Sequence, residues 1–382
     1  MDVRAPVLEP PDGANSSSRA GAGGPPAQPR TTIRDVATLA GVSTSTVSRV
    51  LNGRSDVSDE TRLVVERVAR SHGYDTRRAR GKGRARPGRE LSRLASKQLS
   101  GLVGVTMTTS GTAYFSTILA GIAEALAERD MCALVEPTLE CPTPQEHDRE
   151  MSLLERLMGG ETTIGALLIL PAESTDELRG LREDGLFFVV VDPLHELGTD
   201  IPVVSAANAS GAHQATAHLI ALGHRRIGVI TGPRHGIATR ARLQGHYAAL
   251  AEAGVMPDPA LEVESDWLVP GGAAGAEGLL GLAAPPTAIF AFNDPMAIGA
   301  MHAARARGLR LPEHLSIVGF DDTPEAEAAF PGLTTVHQPL RELGRMAVSL
   351  LLRLVDQHRF EPLHVELATR LVMRSSTAPP AL

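Results

Sequence analysis

TIRDVATLAGVSTSTVSRVLNGRSDVSDETRLVVERVARSHGY, residues 32–74, reads as two short helices joined by a tight turn and followed by a third. In the first, Ile33 to Ala40, the apolar residues Ile33, Val36, Ala37 and Ala40 fall on one helical stripe. The Thr32 hydroxyl can cap its start, and Gly41 can end it in the left-handed conformation open to glycine. Ser43 can cap a second helix running to about Asn52, in which Val47, Val50 and Leu51 face inward. That leaves Thr44, Ser45, Ser48 and Arg49 outward. Ser58 can cap the third helix, Glu60 adds negative charge to its first turn, and Leu63, Val64 and Val68 are expected to close the small core. A second helix this rich in short polar side chains buries too little apolar area to exist for packing. The layout is that of a helix-turn-helix DNA reader. Arg49 can fork onto guanine O6 and N7. Thr32, Ser43, Thr46, Ser48 and Asn52 suit phosphate oxygens, which fix register rather than sequence.

Charge supports an anionic partner at one end only. The chain has 382 residues and a net charge of −7, yet residues 30–100 hold 16 Lys and Arg against 7 Asp and Glu. Residues 101–382 hold 19 against 34. A basic N-terminal part on an acidic body fits nucleic acid. Cys132 and Cys141 form neither a disulfide framework nor a metal-ligand spacing, and no metal or other cofactor is expected. No apolar run approaches the roughly 20 residues of a membrane span, and the N-terminus lacks the apolar core of a signal peptide. A cytoplasmic, nucleoid-associated location is expected.

Residues 1–30, rich in Pro, Gly, Ala and Ser, read as a disordered tail. Residues 31–74 form the headpiece and residues 75–100 a basic linker and hinge, within which GRARP (Gly83 to Pro87) is similar to an AT-hook core. Phosphate attraction needs only its charge. From Gly101, short buried runs (LVGVTM, ALVEP, GALLIL, FFVVVD, RIGVIT, TAIFAFND and LSIVGFDD) alternate with helical stretches. Such a pattern gives parallel sheets covered on both faces, an α/β class. Its length calls for two lobes.

The headpiece resembles that of the lactose-repressor (LacI/GalR) family of bacterial transcription regulators in Thr32 to Ala40, GVSTSTVSRVLN (Gly41 to Asn52) and VSDETR (Val57 to Arg62). The core resembles the family's periplasmic-binding-protein-like domain. The matching pieces are LGHRRIGVITGP (Leu222 to Pro233), RARLQGHYAALAEAG (Arg240 to Gly254), AIFAFNDPMAIGAM (Ala288 to Met301), LSIVGFDDT (Leu315 to Thr323) and LTTVHQP (Leu333 to Pro339). The resemblance implies base reading by Thr44, Ser45 and Arg49. It implies a core over 101–375, with lobe one about 101–205 plus 338–366 and lobe two about 206–337 plus 367–375, before a tail at 376–382. LASKQ (Leu94 to Gln98) resembles the family's hinge helix, with Leu94 as the minor-groove wedge. About eleven extra residues precede it, and counting back from the next strand places Ala95 there instead.

Parallel α/β sheets bind ligands beyond the C-terminal ends of their strands. Asp192, Asn293, Asp294, Asp321 and Asp322 stand there, and Arg242 begins the helix after GVITGPRHG. Carboxylates, amide and guanidinium together suit a polyhydroxylated ligand. The resemblance implies effector contacts from Arg242 and Asp321, with Asn293, Trp267 and Gln338 lining the pocket. The first loop, TTSGTAYFSTI, puts Tyr114 and Phe115 near the cleft. It resembles the version found in purine-binding members, but Gly236 and Ala238 at neighbouring positions carry no purine assignment. Asp294 and Asp322 are expected to be structural caps, and His213, His218 and His224 to Arg226 to be surface or turn residues.

There is no GxGxxG, GxxxxGK[ST] or GxSxG, so no enzyme is expected. The expectation is a homodimeric repressor on a near-palindromic double-stranded operator, controlled by a carbohydrate effector between the lobes. The alternatives are a corepressor-dependent regulator of the same family and a plain solute-binding protein, which would leave the headpiece unexplained.

Overall fold

The computed structural model describes residues 33–51, 58, 61, 64–65, 67–68, 101–108, 113–138, 163–359, 361 and 363–381. They form two compact units, divided near Ala85.

The first unit contains α1 (Ile33–Leu39) and α2 (Thr44–Leu51). Gly41 lies between them at φ +66°, where a side chain would be strained. The Ser43 hydroxyl accepts from the Thr46 amide at 3.1 Å and so caps α2. Ser58 caps the next helical segment in the same way, accepting from the Thr61 amide at 3.4 Å. Val36, Ala37, Val47, Val50 and Val65 form the small core. The expected phase of the third helix is therefore corrected by one residue. Val65 is fully buried, whereas Val64 is 40% exposed. One residue is 100° of helix, enough to exchange inside for outside.

The second unit holds two six-stranded sheets. The first sheet comprises β1 (Leu102–Thr108), β2 (Cys132–Thr138), β3 (Thr163–Ile169), β4 (Phe188–Val191), β5 (Val203–Ala206) and β11 (His364–Leu367), in the order β11-β5-β4-β3-β1-β2. The second comprises β6 (Ile227–Thr231), β7 (Glu262–Glu264), β8 (Ala288–Ala291), β9 (Ser316–Asp321), β10 (Thr334–His337) and β12 (Arg370–Val372), in the order β12-β10-β9-β8-β6-β7. Among the described residues every pairing is parallel except β10 with β12. Strands β4, β6, β8 and β9 are buried on both faces, which explains their unbroken apolar sequences.

Helices α3 (Ala113–Ala127) and α10 (Leu340–Gln357) cover the first sheet. They touch backbone to backbone, because a Cβ on Gly121 would lie 2.0 Å from the Arg341 carbonyl oxygen. Also in this lobe is α4 (Thr175–Glu183), opened by a reciprocal capping box between Ser174 and Glu177. The second sheet carries α5 (Asn208–Ala221), α6 (Ile237–Glu252), α7 (Val269–Leu280), α8 (Asp294–Ala306) and the short α9 (Pro324–Ala328). Its core is built on Phe290, Phe292 and Phe320.

Among the described residues the chain crosses between the lobes three times: from β5 to α5, from β10 to α10 and from β11 to β12. In both sheets the strand order reverses beside the first strand, between β1 and β3 and between β6 and β8. Such switch points open a crevice at the C-terminal strand ends.

His224 corrects a second expectation. It is a buried hub rather than a surface turn residue, because its imidazole reaches Thr287 Oγ1 at 2.8 Å, Ser316 Oγ at 3.1 Å and the Ala378 carbonyl at 2.9 Å. It thereby ties the C-terminal segment to the second sheet. His218, half-buried, bonds Thr377 at 3.0 Å, while His213 pairs with Glu252 at 2.9 Å on the surface.

Candidate effector cleft and DNA-reading face

The two lobes meet where the C-terminal strand ends of both sheets converge. On lobe one, Tyr114 stands at the start of α3 and Asp192 directly after β4. The Tyr114 hydroxyl donates to Asp192 Oδ2 at 2.5 Å. On lobe two, Arg242 lies on the second turn of α6, buried at 4% exposure. Its guanidinium is held from several sides. Nε donates to Asn208 Oδ1 at 2.8 Å, Nη1 donates to the Phe292 carbonyl, and Nη2 lies 3.9 Å from Asp321 Oδ1. The same group sits 3.8 Å over the Phe320 ring and 5.6 Å from the Trp267 ring.

Asp321 ends β9 and accepts from Gln338 Nε2 at 2.6 Å. Gln338 occupies the crossing from β10 to α10, and its buried Oε1 has no hydrogen-bond partner among the described residues. A buried amide acceptor without a donor is costly, so this atom favours a ligand that brings an N–H or O–H. The groups of the two lobes feel one another. Arg242 favours the ionised form of Asp192, and Asp192 disfavours that of Asp321.

Burial dominates the electrostatics. It pushes the Asp321 carboxyl up to about 7, against the pull of Arg242 and the bond from Gln338. It raises Asp192, against the bond from Tyr114 and the charge of Arg242. It carries Asp294 well above the usual carboxylate range, with the Asp321 charge adding to the rise. Tyr114 is likewise held well above the usual phenol value, by burial first and by Asp192 second.

The backbone is unusual at the same points. Asp192 (φ 54°), Trp267 (φ 69°), Asp321 (φ 114°) and Asp322 (φ 59°) all lie at positive φ without being glycine. Such strain persists only where the surroundings over-determine it, and it clusters at ligand sites. Trp267 is set against Gly232, where a Cβ would meet its ring at 1.9 Å. The absence of a side chain there is what admits the indole.

Of the expected effector residues, the fold brings Tyr114, Asp192, Arg242, Trp267, Asp321 and Gln338 into one cluster at the strand ends. Phe115 departs from expectation. It is 5% exposed and belongs to the core of lobe one, edge-on to Tyr114. Asn293 is occupied at both ends of its amide: Oδ1 caps α8 at Met296 N (2.9 Å) and Nδ2 donates to the Trp267 carbonyl (2.8 Å). It therefore positions the indole. Asp294 accepts from the Thr335 hydroxyl at 2.5 Å and the Thr323 amide at 2.8 Å, and Asp322 pairs with Arg374 and His337. Two residues escaped the sequence reading. Asn208, two residues past the end of β5 and the first residue of α5, anchors Arg242, and Phe320 lies beneath it. Asn208 obeys the same strand-end rule that singled out the aspartates.

On α2, Thr44, Ser45 and Arg49 are exposed, and Thr46 and Ser48 are half-buried. Ser43 Oγ lies 2.6 Å from Ser45 Oγ and 2.8 Å from Thr46 Oγ1, so these hydroxyls form one polar corner at the helix start. Thr32, Asn52 and Leu94 fall outside the described residues, as does Cys141. Cys132 is an exposed free thiol. Among the described residues no cluster of three metal-binding side chains occurs, and no helix is long and apolar enough to cross a membrane.

Two family descriptions match: bacterial regulatory proteins, lacI family, over residues 32–77, and a periplasmic binding protein-like domain over residues 216–377. The chain is 34% identical over 323 residues to a ribose operon repressor of Haemophilus influenzae, covering 84% of this chain and 91% of that protein. Among solved structures, it is similar to a complex of the transcriptional regulator CelR with cellobiose (TM-score 0.66, 32% identity, 91% of this chain and 100% of that one). It is also similar to the lac repressor dimer bound to operator and the anti-inducer ONPF (TM-score 0.65, 28% identity, 92% and 100%).

Proposed function

We propose that this chain, which belongs to the LacI family of bacterial regulatory proteins, is a DNA-binding repressor whose operator affinity is set by a carbohydrate held between its two lobes. One observation carries the carbohydrate reading. The crevice offers the acceptors Asp192, Asp321 and the unpartnered Gln338 Oε1, while the donors of Arg242 and Tyr114 are largely engaged within the protein. A ligand rich in hydroxyl donors complements that set, and the Trp267 face suits the apolar side of a sugar ring. The relatives named for ribose and cellobiose support the same class.

On DNA, Arg49 reads a guanine edge and Thr44 and Ser45 touch neighbouring bases, while Ser43, Thr46 and Ser48 contact phosphate. Two copies bind the half-sites of a near-palindrome in the cytoplasm. The effector acts by differential affinity for two arrangements of the lobes.

The test is a mobility-shift titration on an operator selected from genomic DNA, with a panel of pentoses, hexoses and disaccharides. Release of DNA by one sugar, abolished in Arg242→Ala while DNA binding persists, is the expected result. Tighter binding with the sugar would make it a corepressor instead. Indifference to the whole panel, or an unaltered response in Arg242→Ala, would remove the carbohydrate reading.

A further inference from the structure

Besides the ligand-facing groups, the lobes touch through two short segments. Three consecutive residues of the loop after β4 meet the turn into α6. The Leu194 carbonyl accepts from the Ile237 amide at 3.1 Å. The His195 and His235 rings lie 5.9 Å apart at 32°. Glu196 Oε1 accepts from Arg240 Nη2 at 2.8 Å, and Arg240 Nη1 donates to the His235 carbonyl at 3.2 Å, which aims the guanidinium at its partner. These contacts share their segments with the site. Asp192 lies two residues before Leu194, and Arg242 lies two residues after Arg240.

We propose that Leu194 to Glu196 and His235 to Arg240 form an inter-lobe latch, in which Glu196, Arg240 and the Ile237 amide are positioning groups that hold the cleft closed without touching the effector. The latch joins the lobes beside the segment ends that carry Asp192 and Arg242. Closing it brings these two within electrostatic reach of each other, and opening it separates the acceptors of one lobe from the guanidinium of the other. Its strength therefore multiplies directly into effector affinity, since a ligand that needs both lobes binds only the closed population. The importance of the latch for affinity rests on the cleft being the effector site, but the latch itself is tested without any effector.

Trp267 is the only tryptophan, and it is half-buried beside Arg242, so acrylamide quenching of its fluorescence reads access to the cleft in the full-length chain. Ile237→Pro deletes the amide donor at the first residue of α6, where proline is tolerated. Gly236 before it has ψ 136°, which a following proline accepts. Loss of this hydrogen bond is expected to raise the open-to-closed ratio about fivefold. Glu196→Arg, which breaks a solvent-exposed pair, is expected to raise it about two- to fivefold. Both should increase quenching at an unchanged melting temperature.

Ile237→Ala keeps the amide and should quench like the wild type. The charge swap Glu196→Arg with Arg240→Glu should restore the wild-type value. If Ile237→Pro unfolds, the charge pair still decides. Wild-type quenching in folded Glu196→Arg, or no recovery in the swap, overturns the latch. A chain whose DNA binding ignores every sugar would remove the effector reading yet leave the quenching result standing.

Discussion

Asp321 makes the stability of lobe two depend on pH in a direction opposite to that of ordinary surface carboxylates. Its folded-state value of about 7 stands about three units above the roughly 4 of an unfolded aspartate. Between those values the folded chain holds a proton that the unfolded chain has released. The resulting stabilisation is fully present below about pH 4 and is lost as pH rises through 7. At about 1.4 kcal/mol per unit, and with the folded-state carboxyl half titrated at pH 7, the loss between pH 5 and pH 7 is about 2 kcal/mol.

Asp321→Asn removes the titration while keeping an acceptor for Gln338 Nε2, and its new amide can donate toward the unpartnered Gln338 Oε1. Urea unfolding followed by Trp267 fluorescence at pH 5, 6, 7 and 8 measures the difference. The variant should gain about 3 kcal/mol on the wild type across that series, with most of the change below pH 7. His218, His224 and His246, all lowered by burial, act in the opposite direction as pH falls, but they cancel in the comparison. Wild-type and variant stabilities that run parallel with pH would refute the reasoning, because the carboxyl would then be ionised throughout.

Other perturbations separate the parts of the account. Gly121→Ala forces a methyl against the Arg341 carbonyl, and should lower lobe-one stability by about 1–3 kcal/mol in thermal unfolding; an unchanged melting temperature would mean that α3 and α10 are not in contact. His224→Ala removes three polar contacts, leaves the Ala378 carbonyl without its imidazole partner, and should cost about 2–4 kcal/mol together with faster proteolytic trimming of the C-terminal segment. Arg49→Ala should erase much of the preference for operator over random duplex while salt-dependent nonspecific binding persists; equal discrimination by variant and wild type would contradict base reading.

The alternation of strands and helices was legible because continuous apolar runs such as FFVVV and AIFAF have one stable environment, a strand covered on both faces. The polar groups at strand ends were legible for a related reason, since that is where a parallel sheet opens. What periodicity could not supply was phase and partnership. Val64 and Val65 are interchangeable on composition, and only packing against Val36 and Val47 selects Val65. Phe115 and Tyr114 are adjacent, but one helical step turns the first into the core and the second toward Asp192. His224 looked like a turn residue because its partners, Thr287, Ser316 and Ala378, come from distant parts of the chain. The latch is invisible in sequence for the same reason, as Glu196 and Arg240 meet only when the two lobes do.

The central claim is that ligand occupancy of the cleft sets DNA affinity. Sequencing of genomic fragments captured by the purified full-length protein, with and without each sugar of the panel, tests it most directly. The expected result is one near-palindromic motif whose enrichment is abolished by a single carbohydrate and is insensitive to that carbohydrate in Arg242→Ala. Diffuse enrichment without a motif, or a motif whose recovery no sugar changes in either direction, would contradict it.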